Sequence, residues 1–138
     1  MLLNSYGPTE NGAVSTVHEI LDAVPQPGPV PIGRPLRGTR VEVVTASGAP
    51  ACPGETGELL LGGDGLAAGY LGTPAATAER FVPDPFAERG GPLPYRTGDL
   101  AVRRPDGVLE FCGRTDRQLK AAGCRAVVGP GGQRSYVR

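Results

Sequence analysis

Leu100-Ala101-Val102-Arg103-Arg104-Pro105-Asp106-Gly107-Val108-Leu109-Glu110-Phe111-Cys112 is the stretch on which the fold turns. Two short runs, Leu100 to Arg104 and Val108 to Cys112, flank Pro105-Asp106-Gly107. Asp-Gly supplies the positive φ angles that a tight connection needs, so the spacing predicts an antiparallel hairpin with Asp106-Gly107 at its tip. Upstream, Glu58 to Leu61 reads as another strand. Arg40 to Thr45 alternates as Arg-Val-Glu-Val-Val-Thr, the period of a half-buried strand, and Ser47-Gly48 turns it. Thr73 followed by Pro74 is the pattern of an N-cap with proline at the first helical position, which predicts a short helix over Pro74 to Phe81. Ala13 to Ile20, rich in Val, Thr and Ser, reads as a strand, although Thr16-x-x-Glu19 also fits a helix capping box. Val24 to Pro35 is a proline-dense connector. Several short strands at this spacing with one helix predict a mixed α/β chain dominated by β, built on a small antiparallel distorted barrel or sheet over residues 30–115.

The 138 residues include 22 glycines and 15 prolines. At about 27% together, that is the level at which low complexity becomes a competing reading. Here they punctuate apolar runs, as turn residues do. Fourteen basic residues balance fourteen acidic ones, and Lys120 is the sole lysine. That balance offers no electrostatic grip on nucleic acid or a membrane surface. No run approaches the roughly 18 apolar residues of a membrane span, and Met1-Leu2-Leu3 is too short for a signal peptide. Cys52, Cys112 and Cys124 are odd in number and lack CxxC spacing, which argues against zinc and disulfides and for a reducing cytoplasm. His18 has no His or Cys neighbour and reads as a surface or strand residue. Gly63-Asp64-Gly65-Leu66-Ala67-Ala68 matches a dinucleotide fingerprint formally. Gly69, Gly72 and Pro74 interrupt the helix that such a motif needs, so a glycine-rich turn is the better reading.

Three clusters carry chemistry. Asn4-Ser5-Tyr6-Gly7-Pro8-Thr9-Glu10 sets a ring, a hydroxyl and a carboxylate in a glycine-proline turn. Tyr95-Arg96-Thr97-Gly98-Asp99-Leu100 presents one carboxylate, and Gly113-Arg114-Thr115-Asp116-Arg117-Gln118-Leu119-Lys120 adds cations. Singly, Tyr6 fits a core residue, Asp99 a turn residue and Arg114 a solvated charge. Together they offer a stacking surface, a Mg²⁺-competent carboxylate, a hydroxyl-binding carboxylate and cations, the inventory for a nucleoside triphosphate.

These three stretches, with Gly57 to Leu71 (Gly-Glu-Leu-x-x-x-Gly-x-Gly-x-Ala-x-Gly-Tyr-Leu) in its place between them, resemble four consecutive signature motifs of nonribosomal peptide synthetase adenylation domains. Thr77 to Phe86 is similar to that family too, and the likeness spans nearly all of residues 4–125. Gln118 and the Tyr-Gly-Pro-Thr-Glu string favour amino-acid activation over the acyl-CoA synthetases and luciferases of the wider superfamily. The resemblance implies the adenylate-forming enzyme fold. It divides the chain into the end of a nucleotide-binding core (1–29), the β subdomain (30–115), a hinge with the start of a lid (116–127) and an unrelated tail without order (128–138).

By the same resemblance, Tyr6 lies along adenine beside Gly7, Thr9 bonds the α-phosphate region and Glu10 binds Mg²⁺. Asp99 accepts both ribose hydroxyls, Phe111 flanks the nucleotide and Arg114 reaches ribose or phosphate. Ser5, Ala13 and Val14 line the amino-acid side-chain pocket, and Asp116 and Lys120 belong to the hinge. The implied reaction joins an amino acid to the α-phosphate of ATP, giving aminoacyl-AMP and pyrophosphate. A phosphopantetheine thiol on a peptidyl carrier protein then takes the acyl group.

The family also uses a Ser/Thr/Gly-rich phosphate loop with a lysine, an acidic anchor for the α-amino group and a late lid lysine. None is in this sequence. Ala122 and Val127 stand where the family has arginine and glutamate, and the likeness stops at Val128. These departures suggest a truncated or frameshifted reading frame that is inactive alone. A noncatalytic interaction module or a pseudogene product derived from the same fold is the alternative. The activated amino acid is not identified.

Overall fold

The computed structural model describes residues 1–21, 28–84 and 94–115, together with the backbone of strands at 118–121, 124–128 and 134–137. Strands β1 (Leu2–Tyr6), β2 (Thr16–Ile20) and β3 (Arg34–Pro35) form one antiparallel sheet in that order. A second antiparallel sheet holds β4 (Thr39–Val44), β5 (Thr56–Gly63), β6 (Tyr95–Arg103) and β7 (Leu109–Arg114). Helix α1 (Pro74–Arg80) connects β5 towards β6. Strands β8 (Gln118–Ala121), β9 (Cys124–Val128) and β10 (Arg134–Val137) make a third small sheet, order β10-β9-β8. Mostly strand with one short helix among the described residues, this is the mixed, β-dominated chain that the sequence implies.

Alternation places the core. Val41 and Val43 on β4 lie opposite Leu61 and Leu59 on β5, and all four are buried. Ile32, Ala101 and Leu109 complete the cluster, and Tyr6 and Ala51 pack against it. Leu60 and Val44 are buried on the other face. So β5 is covered on both sides, and its apolar run does not alternate, as expected of a central strand. The four-stranded sheet is open between β4 and β7. An isolated bridge, in which Gly33 and Leu109 exchange backbone bonds of 2.8 and 3.2 Å, joins the chain just before β3 to the start of β7. That bridge sets the end of the three-stranded sheet beside the outer edge of β7.

Several local readings are refined. The Pro105-Asp106-Gly107 hairpin is present, but among these residues only Gly107 has positive φ (+85°). Gly107 N–H bonds the Arg104 carbonyl and Asp106 Oδ1 accepts the Val108 N–H, so Pro105-Asp106 form an ordinary turn followed by a glycine bulge. Thr73 sits before α1 with Pro74 at the first position, yet its side chain makes no capping bond; its carbonyl takes the Thr77 N–H instead. The strand expected from Ala13 begins at Thr16, because residues 12–14 form a tight turn. Gly12 and Ala13 both have positive φ (+70° and +67°), and Val14 N–H bonds the Gly12 carbonyl at 2.9 Å. That is a γ-turn with positive φ at an alanine, a rare and strained conformation. Strand β10 also departs from the orderless tail expected after Val128. Ser135-Tyr136-Val137 has the β-branched and aromatic content of a strand, and β10 pairs with β9 from Arg134↔Val128 to Val137↔Arg125. The hinge residue Asp116 lies outside the described residues, and Lys120 is described only as backbone on β8.

Candidate functional site

The site is built on an irregularity in β6. Glu58 pairs with Leu100 and Leu60 with Arg96, so Thr97-Gly98-Asp99 stand opposite the single residue Leu59. Such a bulge leaves ladder groups unpaired and re-aims side chains. Here side chains replace the ladder. Thr97 Oγ1 donates to the Leu59 carbonyl at 2.8 Å and accepts the Asp99 N–H at 2.9 Å. Glu58 Oε1 accepts the Gly98 N–H at 3.2 Å and also bonds the Arg96 guanidinium. Thr115 closes the turn from the far side by donating from both its N–H and its hydroxyl to the Gly98 carbonyl.

The bulge delivers Asp99 to the place where three motifs meet. Asp99 is 8% exposed, and in register it faces Arg114 across β6 and β7. Arg114 pairs with Asp99 Oδ1 and donates a second bond to the Thr97 carbonyl at 3.2 Å. On the other carboxylate oxygen, Tyr6 donates its phenol at 2.5 Å from 93 residues away. Tyr6 reaches this point from the end of β1. Gly7 then lets the chain pass close to residues 13–15, since a Cβ at Gly7 would lie 2.6 Å from the Ser15 nitrogen.

A second cluster lies along the same chain turn. Glu10, in the 3-10 turn Thr9–Asn11, is 6% exposed. Tyr70 donates to Glu10 Oε1 at 2.7 Å, and the Tyr70 and Tyr95 hydroxyls are 3.4 Å apart. Phe81 holds both rings, edge-on to Tyr70 at 5.7 Å and tilted to Tyr95 at 5.2 Å. Thr9, Ser5 and Ala13 are exposed, as are Val14 and Phe111, the last at 40%. Of the residues read from the sequence, the structure thus joins Tyr6, Asp99 and Arg114 by direct bonds. Glu10 sits in a neighbouring cluster with Thr9 beside it in the chain. Phe111 stands three residues before Arg114 on β7. Tyr70, Tyr95, Thr97 and Thr115 were not singled out by the sequence reading. Tyr70 and Tyr95 lie inside quoted motifs, and a tyrosine in an otherwise glycine-rich motif is the signal that was available.

Both of the shielded phenols hold their protons tightly. Burial, then the Asp99 charge and its hydrogen bond, pushes Tyr6 well above the ordinary tyrosine range. Burial, then the Tyr70 hydrogen bond and the Glu10 charge, does the same for Tyr95. A tyrosine unfolded titrates near 10. A folded value above it means that the folded state keeps a proton that the unfolded state sheds. This contribution to stability is full below pH ~10 and is lost progressively as pH rises beyond it. Denaturant midpoints are therefore expected to fall steeply above pH ~10. The steepness should drop in Tyr6→Phe and in Tyr95→Phe; an unchanged slope in both variants would contradict the assignment.

As a metal site, the donor set is spare. Among the described residues no group of three His, Cys, Asp or Glu side chains converges. Glu10 offers one hard carboxylate. That suits Mg²⁺, which keeps several waters and takes one or two carboxylates together with substrate phosphates. It does not suit a cation that needs an all-protein cage. No helix among the described residues is long and apolar enough to cross a membrane.

Comparisons with known proteins identify the family. The AMP-binding enzyme family pattern matches residues 1–71. The chain is 52% identical over 131 residues to the AMB antimetabolite synthetase AmbB of Pseudomonas aeruginosa, covering 93% of this chain and 10% of AmbB. It is 45% identical over 126 residues to tyrocidine synthase 3 of Brevibacillus parabrevis, covering 91% of this chain and 2% of that protein. The solved structure of PA1221, an NRPS protein containing adenylation and PCP domains, superposes with a TM-score of 0.79 at 40% identity, over 89% of this chain and 25% of that one. This chain therefore spans a small part of the proteins it matches. By sequence and by fold, the chain belongs to the AMP-binding enzyme family, within which it is similar to nonribosomal peptide synthetase adenylation domains.

Proposed function

We propose that the chain is the part of an amino-acid adenylation domain that grips the nucleoside end of ATP. The observation that carries this reading is the junction at Asp99, where one carboxylate is held by both Tyr6 and Arg114. A carboxylate has about four acceptor positions, so the two bonds seen are compatible with accepting ribose hydroxyls as well. The Tyr6 ring offers a face for adenine beside Gly7, and Phe111 a second aromatic surface. Arg114 lends positive charge to the ribose or phosphate side. Thr9 contributes a hydroxyl near the α-phosphate, and Glu10 a carboxylate for Mg²⁺, which when bound offsets phosphate charge. Ser5, Ala13 and Val14 are small residues at the amino-acid pocket, and Asp116 with Lys120 forms the hinge. The whole domain would form aminoacyl-AMP and pyrophosphate, then hand the acyl group to a phosphopantetheine thiol. The adenylation and PCP pairing in PA1221 supports a carrier-protein partner.

The contacts this chain supplies are few. Stacking on one aromatic gives about 1–3 kcal/mol and a bond to a charged group about 1.5–3 kcal/mol. Against them stands an association cost of about 4–15 kcal/mol. For the 138-residue chain alone this sets AMP binding weaker than about 1 mM. It also sets no detectable amino-acid-dependent exchange of labelled pyrophosphate into ATP. The test is an NMR titration with AMP to tens of millimolar. Shifts are expected at Tyr6, Asp99, Phe111 and Arg114, lost in Asp99→Asn. Shifts confined to other residues would sink the reading, and clear pyrophosphate exchange above a Glu10→Ala control would make the chain an enzyme in its own right.

A further inference from the structure

The segment after β5 meets the Glu10 turn at two points. Ala67 N–H donates to the main-chain carbonyl of Glu10 at 2.8 Å, and the Tyr70 phenol donates to Glu10 Oε1 at 2.7 Å. Tyr70 is itself seated by α1. Its backbone N–H donates to Thr77 Oγ1 at 2.9 Å, and Thr77 Oγ1 in turn lies 3.1 Å from the Thr73 carbonyl. Thr77 also packs closely on Gly69, where a Cβ would come within 2.5 Å of the Thr77 methyl. Phe81, immediately after α1, closes over the Tyr70 ring. A helix with no buried residue of its own is thus placed to fix one phenol.

We propose that Tyr70 is the positioning residue for Glu10: its phenol, seated by Thr77 and Phe81, holds the carboxylate in the orientation that takes a divalent cation. The proposal rests on the reading of Glu10 as the cation ligand. A phenol donating to a carboxylate makes a charge-assisted bond, stronger than a neutral one, and phenylalanine of the same shape cannot make it. A carboxylate has about four acceptor positions, so accepting from a phenol is compatible with binding a metal as well. Hydrogen-bond partners that orient metal ligands typically control affinity by 10-fold or more. The Tyr95 hydroxyl, 3.4 Å from that of Tyr70, adds a second phenol on the same side.

The experiment uses the full 138-residue chain and Mn²⁺ as a paramagnetic probe, followed by line broadening in ¹⁵N-correlated spectra. Broadening is expected at residues 9–11. Glu10→Gln should abolish it, and Tyr70→Phe should raise the apparent Mn²⁺ dissociation constant about 10-fold with the rest of the spectrum unchanged. Thr77→Val, which keeps the phenol but loosens its seat, should give a smaller loss. If Glu10→Gln abolishes broadening while Tyr70→Phe binds Mn²⁺ like the parent, positioning by Tyr70 is overturned and the Glu10 reading stands. If Glu10→Gln changes nothing, the Glu10 reading itself fails. Should Tyr70→Phe disturb the spectrum throughout, Thr77→Val decides: parental Mn²⁺ affinity in that variant overturns the proposal.

Discussion

Asp99→Ala is expected to destabilise the chain by about 2–4 kcal/mol and to erase the AMP-dependent shifts. Removing one partner of a buried ion pair costs about 3–5 kcal/mol, because the other charge stays behind without compensation. The Asp99 and Arg114 side chains are 12% and 22% exposed, so solvent screens part of that cost. The Tyr6 phenol loses its acceptor in the same step, and it is mostly shielded from water. Asp99→Asn keeps an acceptor for Tyr6 but not the charge for Arg114, and should fall between the parent and alanine. Urea denaturation read by circular dichroism measures both. A midpoint for Asp99→Ala equivalent to less than about 0.5 kcal/mol, the scale of an ordinary surface change, would show that the junction contributes little.

Leu59→Ala should cost about 3–5 kcal/mol, the upper part of the range for truncating a fully buried leucine. Leu59 is fully buried at the centre of a seven-residue cluster, between Val43 and the bulge of β6. Its carbonyl is also the acceptor for Thr97, so a cavity here reaches the support of Asp99. Total stability of a domain is about 5–15 kcal/mol, so this one change removes a large share. Leu71→Ala is the contrast: Leu71 is fully exposed and should change the midpoint by less than about 0.5 kcal/mol. Equal losses for the two would mean that the core is not where β4, β5 and Leu109 place it.

Local chemistry was readable in advance wherever the pattern was itself local. The alternation at Arg40 to Thr45, the Pro105-Asp106-Gly107 turn and the Thr73-Pro74 helix start each fall on the corresponding element, within a residue or two. Strand β1 went unread, because Leu2 to Tyr6 alternates only weakly and its pairing with β2 is a tertiary fact. The strained turn at Ala13 carried no signal either, since positive φ is ordinarily announced by glycine or asparagine. For the site, residue types pointed to Tyr6, Asp99 and Arg114. Their direct contact depends on a bulge whose three residues look, in the sequence, like an ordinary turn. Tyr70 was visible inside the Gly57 to Leu71 motif, but nothing in one dimension says that its hydroxyl finds Glu10, 60 residues earlier.

The separation of Tyr6 and Asp99 by 93 positions also sets an order of events during synthesis. Ribosomes add about 5–20 residues per second, so roughly 5–20 s separate the appearance of the phenol from that of its acceptor. Through that interval β1 and β2 can pair, but Tyr6 has neither its carboxylate nor the sheet that shields it. The junction at Asp99 therefore forms only once the β6–β7 hairpin is made, and until then the Tyr6 phenol must bond water instead. Pauses in translation before residue 99 lengthen exposure, while pauses after Arg114 do not.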